Sequence, residues 1–192
     1  MSAMERIILP FASAELWAHW LAEHHAGTPG GLWLKIAKKE SGIATVSYAE
    51  ALDEALCFGW IDGQKDGFDD AWWLQRFTPR RPRSRWSKVN TEKAAKLIAE
   101  GRMREPGMRE IEAAKTDGRW ENSYDRQAVA QVPPDLQAAF DANPKAAEFF
   151  ATLTGANRYA VLYRIHDAKR PQTRADRIAK FVAMLERGET LH

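Results

Sequence analysis

The pattern that most constrains the fold is a hairpin-like stretch in the middle of the chain. Residues 60–64 read WIDGQ, residues 65–70 read KDGFDD and residues 72–78 read WWLQRFT. Aromatic and β-branched residues favour strands, whereas the Asp- and Gly-rich segment between them is typical of a turn. We therefore predict two strands, at 60–64 and 72–78, that pair as an antiparallel hairpin.

A third strand and several helices are predicted around this hairpin. Residues 32–38 alternate, with apolar Leu34 and Ile36 on one side and Trp33 and Lys35 on the other. Ser47 and Glu50 form a capping box that starts a helix. The predicted helix starts are Ser13, Ser47, Asn90 and Pro106, and the predicted stops are Gly27, Gly59, Gly101 and Gly118.

These patterns predict an α+β fold that is mostly helical, with a small antiparallel sheet in the N-terminal half and a helical C-terminal subdomain. We expect an α+β domain at 1–120 and a helical subdomain at 133–192, either docked or loosely tethered through a polar segment at 119–132. With 192 residues and 45% hydrophobic residues, disorder is not expected. The predicted core is Leu34, Ile36, Leu52, Leu56, Phe58, Ile61 and Leu74.

A concentrated group of cations follows the hairpin. No Asp or Glu lies between Asp70 and Glu92, yet the whole chain has a net charge of only +2, so the positive charge is local. A second basic group lies near Pro171. The candidate anion-binding residues are Arg76, Arg80, Arg81, Arg83, Arg85, Trp86 and Lys88, together with Lys169, Arg170 and Arg174.

Two interpretations of the cations carry equal weight. Such a run can be a solvated face, or it can pack along aromatic rings through cation–π contacts. Alternatively, it binds an anion, because the guanidinium fork suits phosphate and carboxylate and because a helix N-terminus follows near Asn90. Two basic loop-to-helix junctions suit an extended anion better than a small one.

The sequence contains no common catalytic signature. Phosphate-loop, HExxH, GxSxG and GxGxxG motifs are absent. His19, His24 and His25 do not have the i, i+4 spacing of a helical zinc site, and Cys57 is expected to be a buried apolar residue. We therefore expect no metal, no cofactor and, on balance, no enzyme.

Asp62 is the one candidate for a catalytic residue. The two strands of the hairpin could bring its carboxylate next to Arg76. We favour this interpretation, in which Asp62 and Arg76 form a structural ion pair. If Asp62 faces an open cleft instead, it could be the acid–base group of an enzyme that acts on a small anionic substrate, with Arg76 as its clamp.

Location and membrane topology follow from the apolar runs and the cysteine count. The longest apolar stretches fall short of the roughly 20 residues of a membrane span. The segment MSAMERIILPFAS has only a short apolar run, so we expect no cleavable signal. The single cysteine, Cys57, cannot form an internal disulfide. We expect a cytoplasmic protein without membrane insertion.

Three segments resemble a known family. EALCFGWIDGQ, LQRFTPRRPRSRWSKVN and AKRPQTRADRIAKFVAML are similar to the bacterial YdeI/OmpD-associated family, also called bacteriocin-protection proteins. The resemblance extends over nearly the whole chain. It implies a link to envelope stress, to resistance against antimicrobial peptides and to an outer-membrane porin. It implies no reaction and no catalytic residues.

Anion binding without catalysis is thus the predicted function. The ligand could be a nucleotide, a phosphorylated metabolite, a nucleic-acid backbone or an acidic protein, and a protein-interaction module is a further possibility. Arginines that converge on a concave, aromatic-lined pocket would favour a small molecule. Arginines that spread over a convex face would favour a polymer or a protein.

Overall fold

The computed structural model describes residues 6–125 and 130–191. The first five residues, where a signal was sought, and residues 126–129 of the proposed linker lie outside these ranges. The chain divides into two compact units, Met1–Ser123 and Tyr124–His192, which are described separately below. That each unit is an independently folding domain stays a prediction.

A four-stranded sheet forms the centre of the first unit. The order across the sheet is β1-β2-β4-β3, and β2, β4 and β3 are the three predicted strands. They pair antiparallel, while the short first strand runs parallel to β2, so the sheet is mixed. The α+β fold class is confirmed with this one addition. The strands are β1 (Ile8–Pro10), β2 (Leu32–Ala37), β3 (Trp60–Gly67) and β4 (Trp72–Pro79).

The predicted hairpin joins β3 to β4. The Asp69 carboxylate accepts hydrogen bonds from the backbone N–H groups of Ala71 (2.9 Å) and Trp72 (2.8 Å). Such a side-chain bond to the backbone two or three residues on is how Asp stabilises a turn. The pairing shifts between Asp62 and Lys65, which marks a β-bulge.

Four helices surround this sheet, and local signals explain their ends. Ser47 forms the predicted capping box with Glu50. The N-cap of the third helix is Ser87, three residues before the predicted cap at Asn90, because the Ser87 hydroxyl accepts from the Asn90 N–H at 3.2 Å. The helices are α1 (Ala14–His24), α2 (Tyr48–Cys57), α3 (Lys88–Ala99) and α4 (Glu105–Thr116), and a 3₁₀ turn spans Lys39–Ser41.

The core of the first unit lies on one face of the sheet. Six of the seven predicted core residues either belong to it or, like Ile61, pack against it; Leu56 is 1% exposed. Leu74 was assigned to this core wrongly. It is buried, but it pairs with Lys35 on the other face, whereas Gln75 pairs with Leu34 on the core face.

The second unit is helical in all its regular elements within the described residues. Its core is built around Leu136, Phe150, Ile165 and Phe181. The helices are α5 (Pro134–Asp141), α6 (Pro144–Thr152), α7 (Gly155–Asp167) and α8 (Pro171–Glu186). Proline occupies the first turn of three of them, where its missing N–H is harmless.

Candidate functional site

The basic loop, residues 80–88, connects β4 to α3 and contains a tight turn. The Ser84 N–H donates to the Arg81 carbonyl at 2.9 Å, and the Ser84 hydroxyl accepts from the Arg81 N–H at 3.0 Å. Pro82 and Arg83 are the two central residues. Proline followed by a residue with positive φ is the pattern of a type II turn.

Arg83 occupies a position that normally belongs to glycine. Its φ is 67°, and it is the one non-glycine residue with positive φ in the described parts of the chain. A side chain in this left-handed region costs about 1–2 kcal/mol. Strain of this kind persists where the surroundings impose it and is concentrated at functional sites.

The inner side of the loop is anchored by packing. Arg80 is buried; its guanidinium carbon lies 3.5 Å from the Trp86 ring centre, and its Nη1 donates to the Arg85 carbonyl at 3.0 Å. The Trp86 ring packs 5.0 Å from that of Trp120. Two of the predicted anion-binding residues, Arg80 and Trp86, therefore form the support of the loop rather than its outer surface.

A second arginine, Arg119, holds the loop although it lies outside residues 80–88. Arg119 donates from Nη1 to the Ser84 carbonyl at 2.6 Å and from Nε to the Asp117 carboxylate at 2.7 Å. Arg119 holds the pKa of Asp117 below its usual range, with a smaller contribution from Arg83. Arg119 and Trp120 lie in the segment predicted to begin the linker. In the sequence Arg119 directly precedes Trp120, as Arg85 precedes Trp86. This repeated dipeptide is the sequence signal that could have linked the two segments.

The remaining cations of the loop face solvent. Arg81, Arg83, Arg85 and Lys88 are exposed. Lys88 is the first residue of α3, whose first turn contains no acidic residue. A helix N-terminus carries a partial positive charge, which adds to that of Lys88. The outer surface of the loop thus concentrates positive charge at a helix start.

Arg76 lies apart from these residues on β4, and its predicted ion pair with Asp62 is wrong. Asp62 pairs with Phe77, so Asp62 and Arg76 lie on opposite faces of the hairpin. The Arg76 Nη2 instead donates to the Gly30 carbonyl at 3.2 Å. The prediction placed Arg76 at the edge of the range opposite Asp62, whereas the observed partner, Phe77, lies one residue further along. A shift of one residue moves a side chain to the other face of the strand.

Asp62 accepts a hydrogen bond from a tyrosine instead. The Tyr48 hydroxyl donates to its Oδ2 at 2.7 Å. Burial and this hydrogen bond raise the pKa of Tyr48. Tyr48 therefore keeps its proton and acts as a donor, not as a base. Without Arg76 beside it, Asp62 lacks the substrate clamp that the enzyme hypothesis assigned.

The second basic group belongs to the second unit, at the α7–α8 junction. Arg170 occupies the N-cap position of α8 without a capping hydrogen bond from its side chain, and Lys169 precedes it. Arg174 contacts both oxygens of Asp135, with Nη2 to Oδ1 at 2.9 Å, and donates to the Ile165 carbonyl at 2.8 Å. Arg174 is thus committed to an ion pair within the fold.

The exposed arginines of the basic loop project from a turn. Two cavities of the first unit lie elsewhere. One is lined by α1 together with residues that include Arg104, and the other lies between Lys38 and Trp73. Cations that are exposed on a loop, outside both of these cavities, favour an extended ligand over a small molecule, which binds in a concave pocket.

Comparison with known proteins defines the family of the chain. The family model described as "Domain of unknown function (DUF8412)" matches residues 9–110, which is 102 of 192 residues. The chain belongs to this family. The matched DUF8412 region contains the sheet, the basic loop and helices α1 to α3, and it ends within α4.

A second family model matches the C-terminal part. It is described as "Bacteriocin-protection, YdeI or OmpD-Associated" and matches residues 129–188. This confirms the resemblance to that family through the segment AKRPQTRADRIAKFVAML. The other two segments that carried the resemblance lie in the DUF8412 region instead.

Other comparisons add no further relative. No curated protein and no solved structure matches the chain. Within residues 6–125 and 130–191, every helix is too short or too polar to cross a membrane.

Proposed function

We propose that the basic loop binds an extended polyanion and that the protein does so without catalysing a reaction. The observation that carries this proposal is Arg83, a charged residue held in a left-handed conformation at the tip of an exposed turn. Glycine would relieve the strain, so the arginine side chain has a use that outweighs its cost of about 1–2 kcal/mol.

The electrostatics of the loop support an anionic ligand. Arg81, Arg83 and Arg85 present planar guanidinium groups, which bind phosphate and carboxylate through two parallel hydrogen bonds. The nearby Asp117 is engaged by Arg119, so it compensates little of this charge. The N-terminus of α3 adds its own positive end at Lys88.

The size of the ligand follows from the shape of the surface. Arg80 and Trp86 are buried and anchor the loop, whereas Arg81, Arg83 and Arg85 are exposed. A nucleic acid or an acidic protein segment presents many negative groups along a line, which suits such a surface better than a nucleotide does. The C-terminal match suggests a role in bacteriocin protection or envelope stress, and we place this activity in the cytoplasm as part of the proposal.

Binding to a polyanion as a function of salt tests the proposal. Wild-type protein should bind labelled heparin or oligonucleotide at low salt, and affinity should fall steeply as salt rises, because neutralised phosphates release counterions. The double variant Arg81→Gln, Arg83→Gln should lower the affinity. Its slope of log affinity against log salt should be shallower by about 1.4 for a single strand, since two contacts are lost.

A matched variant controls for net charge. Lys96→Gln with Arg109→Gln removes two positive charges from exposed positions on α3 and α4. It should leave both affinity and slope close to wild type. Equal losses in the two double variants would mean that the loop is not the site, and no binding at low salt would refute the proposal.

An enzyme acting on a small anionic substrate is the second candidate. The pairing of Asp62 with Tyr48, rather than with an arginine, favours it. Asp62→Asn keeps the shape of the side chain and removes its charge. A catalytic role predicts loss of turnover with an unchanged melting temperature in a screen of phosphate and carboxylate esters. Anion binding without catalysis predicts that no substrate is turned over by either protein.

A further inference from the structure

The face of the sheet opposite the core carries alternating cations and aromatic rings. Because directly paired residues share a face, Trp33 lies beside Arg76 and Lys35 lies beside Leu74 on this outer sheet face. Ala37 and Trp72 form the next pair. The core residues of β2 point to the other side.

The cations on this face lie over the rings. The guanidinium carbons of Arg6 and Arg76 lie 4.8 and 6.0 Å from the Trp33 ring centre. Lys35 Nζ lies between two rings, 4.2 Å from the centre of Phe68 and 4.8 Å from that of Trp72. Cation–π attraction holds these groups in a layered arrangement.

The face carries three cations, Arg6, Lys35 and Arg76, and is partly open. Phe68 is 48% exposed, so its ring is accessible to a ligand, and Lys35 and Arg76 are partly exposed. Asp66 pairs across the hairpin with Leu74, and its carboxylate contacts Arg6 at 3.1 Å. Because Asp66 pairs with Arg6, it does not neutralise Lys35 or Arg76.

We propose that the outer sheet face, together with the basic loop, binds single-stranded nucleic acid. Bases stack on Phe68 and Trp72 and on the guanidinium plane of Arg76, while the phosphates follow the cations. This inference rests on the proposed function for its phosphate contacts, and it names the polyanion. Arg76 lies on β4, four residues before the loop begins, and as part of this proposal the strand follows the chain from the sheet face to the exposed arginines of the loop.

The rings decide between the possible polyanions. A positively charged groove combined with aromatic stacking platforms is how proteins bind single strands without sequence preference. A duplex hides the faces of its bases within its own stack, so Phe68 would have nothing to stack on. An acidic polypeptide would use Lys35 and Arg76 but would gain little from the exposed ring.

The experiment compares strands with and without bases. The probes are labelled oligothymidine of about 15 nucleotides and an abasic strand of equal length and charge. Full-length protein should bind oligothymidine at least about fivefold more tightly, which corresponds to about 1 kcal/mol for one stacked base. Phe68→Ala should reduce this preference, because one of the three stacking platforms is lost, while leaving the affinity for the abasic strand unchanged. Leu16→Ala, at a position 53% exposed on α1, should change neither value.

The outcomes separate this inference from the proposed function. Equal affinity of the wild type for both strands, or a preference that is undiminished in Phe68→Ala, would overturn the stacking platform. If Arg81→Gln with Arg83→Gln still weakens binding in that case, the loop remains a polyanion site. Tighter binding of polyglutamate than of oligothymidine would assign the surface to an acidic protein. Absence of binding to all probes at low salt would refute both proposals.

Discussion

Replacing Arg83 by glycine should make the protein more stable and weaken its binding at the same time. Relief of the left-handed strain contributes about 1–2 kcal/mol to the free energy of unfolding. The greater freedom of glycine in the unfolded chain offsets about 0.4–1 kcal/mol of this gain. The net stabilisation therefore lies between about 0 and 1.6 kcal/mol, and its midpoint of about 0.8 kcal/mol corresponds to an increase of roughly 2–3 °C in melting temperature for a chain of this size.

The same variant should bind a polyanion less tightly. One lost phosphate contact should reduce the salt slope by about 0.7 on a single strand. Thermal melts and fluorescence anisotropy on the same preparations measure the two effects. The control is Arg85→Gly, which removes the same charge at an exposed residue whose φ is not positive.

Arg85→Gly should weaken binding to a similar degree but lower the melting temperature, because it relieves no strain. A less stable Arg83→Gly would show that the turn does not strain this residue. Unchanged binding by Arg83→Gly would remove the functional reason for having an arginine there.

Three further results are expected. Leu56→Ala should lower the free energy of unfolding by about 2–5 kcal/mol in urea melts, since Leu56 is 1% exposed in the core; an unchanged melt would place it outside the core. Burial raises the pKa of Cys57 to about 11, so iodoacetamide should label it only as fast as the protein unfolds, and rapid labelling of native protein would contradict this. Arg174 holds the pKa of Asp135 below its usual range, so this pair stabilises the fold above about pH 4 and is lost as pH falls further. Asp135→Asn should therefore differ from wild type near neutral pH and converge with it in acid melts, and a difference independent of pH would refute the pair.

Local signals predicted the elements because their causes are local. The capping box at Ser47 and the glycine at 59, with a φ of 72°, mark the ends of α2 as expected. The first strand was missed since Ile8–Pro10 is only three residues long and ends in proline. The strand forms because it pairs with β2. A segment of three residues is too short to show the alternating pattern that predicts a strand.

That the basic loop is a binding site stays a prediction, but some contacts assigned to its residues were wrong. Register errors placed Leu74 in the core and Arg76 beside Asp62, because a single-residue shift exchanges the two faces of a strand. The burial of Arg80 depends on Trp86, and that ring packs in turn against Trp120, more than thirty residues along the chain. Long-range packing of this kind leaves no local pattern.

The central claim is that the basic loop is where the protein meets its anionic partner. Titration of isotope-labelled protein with heparin at low salt, followed through backbone amide resonances, tests it most directly. The account predicts that the largest shifts occur at Arg81, Ser84 and Lys88 and that they disappear in the Arg81→Gln, Arg83→Gln variant. Shifts distributed over all lysines and arginines, or centred on the α7–α8 junction, would contradict it.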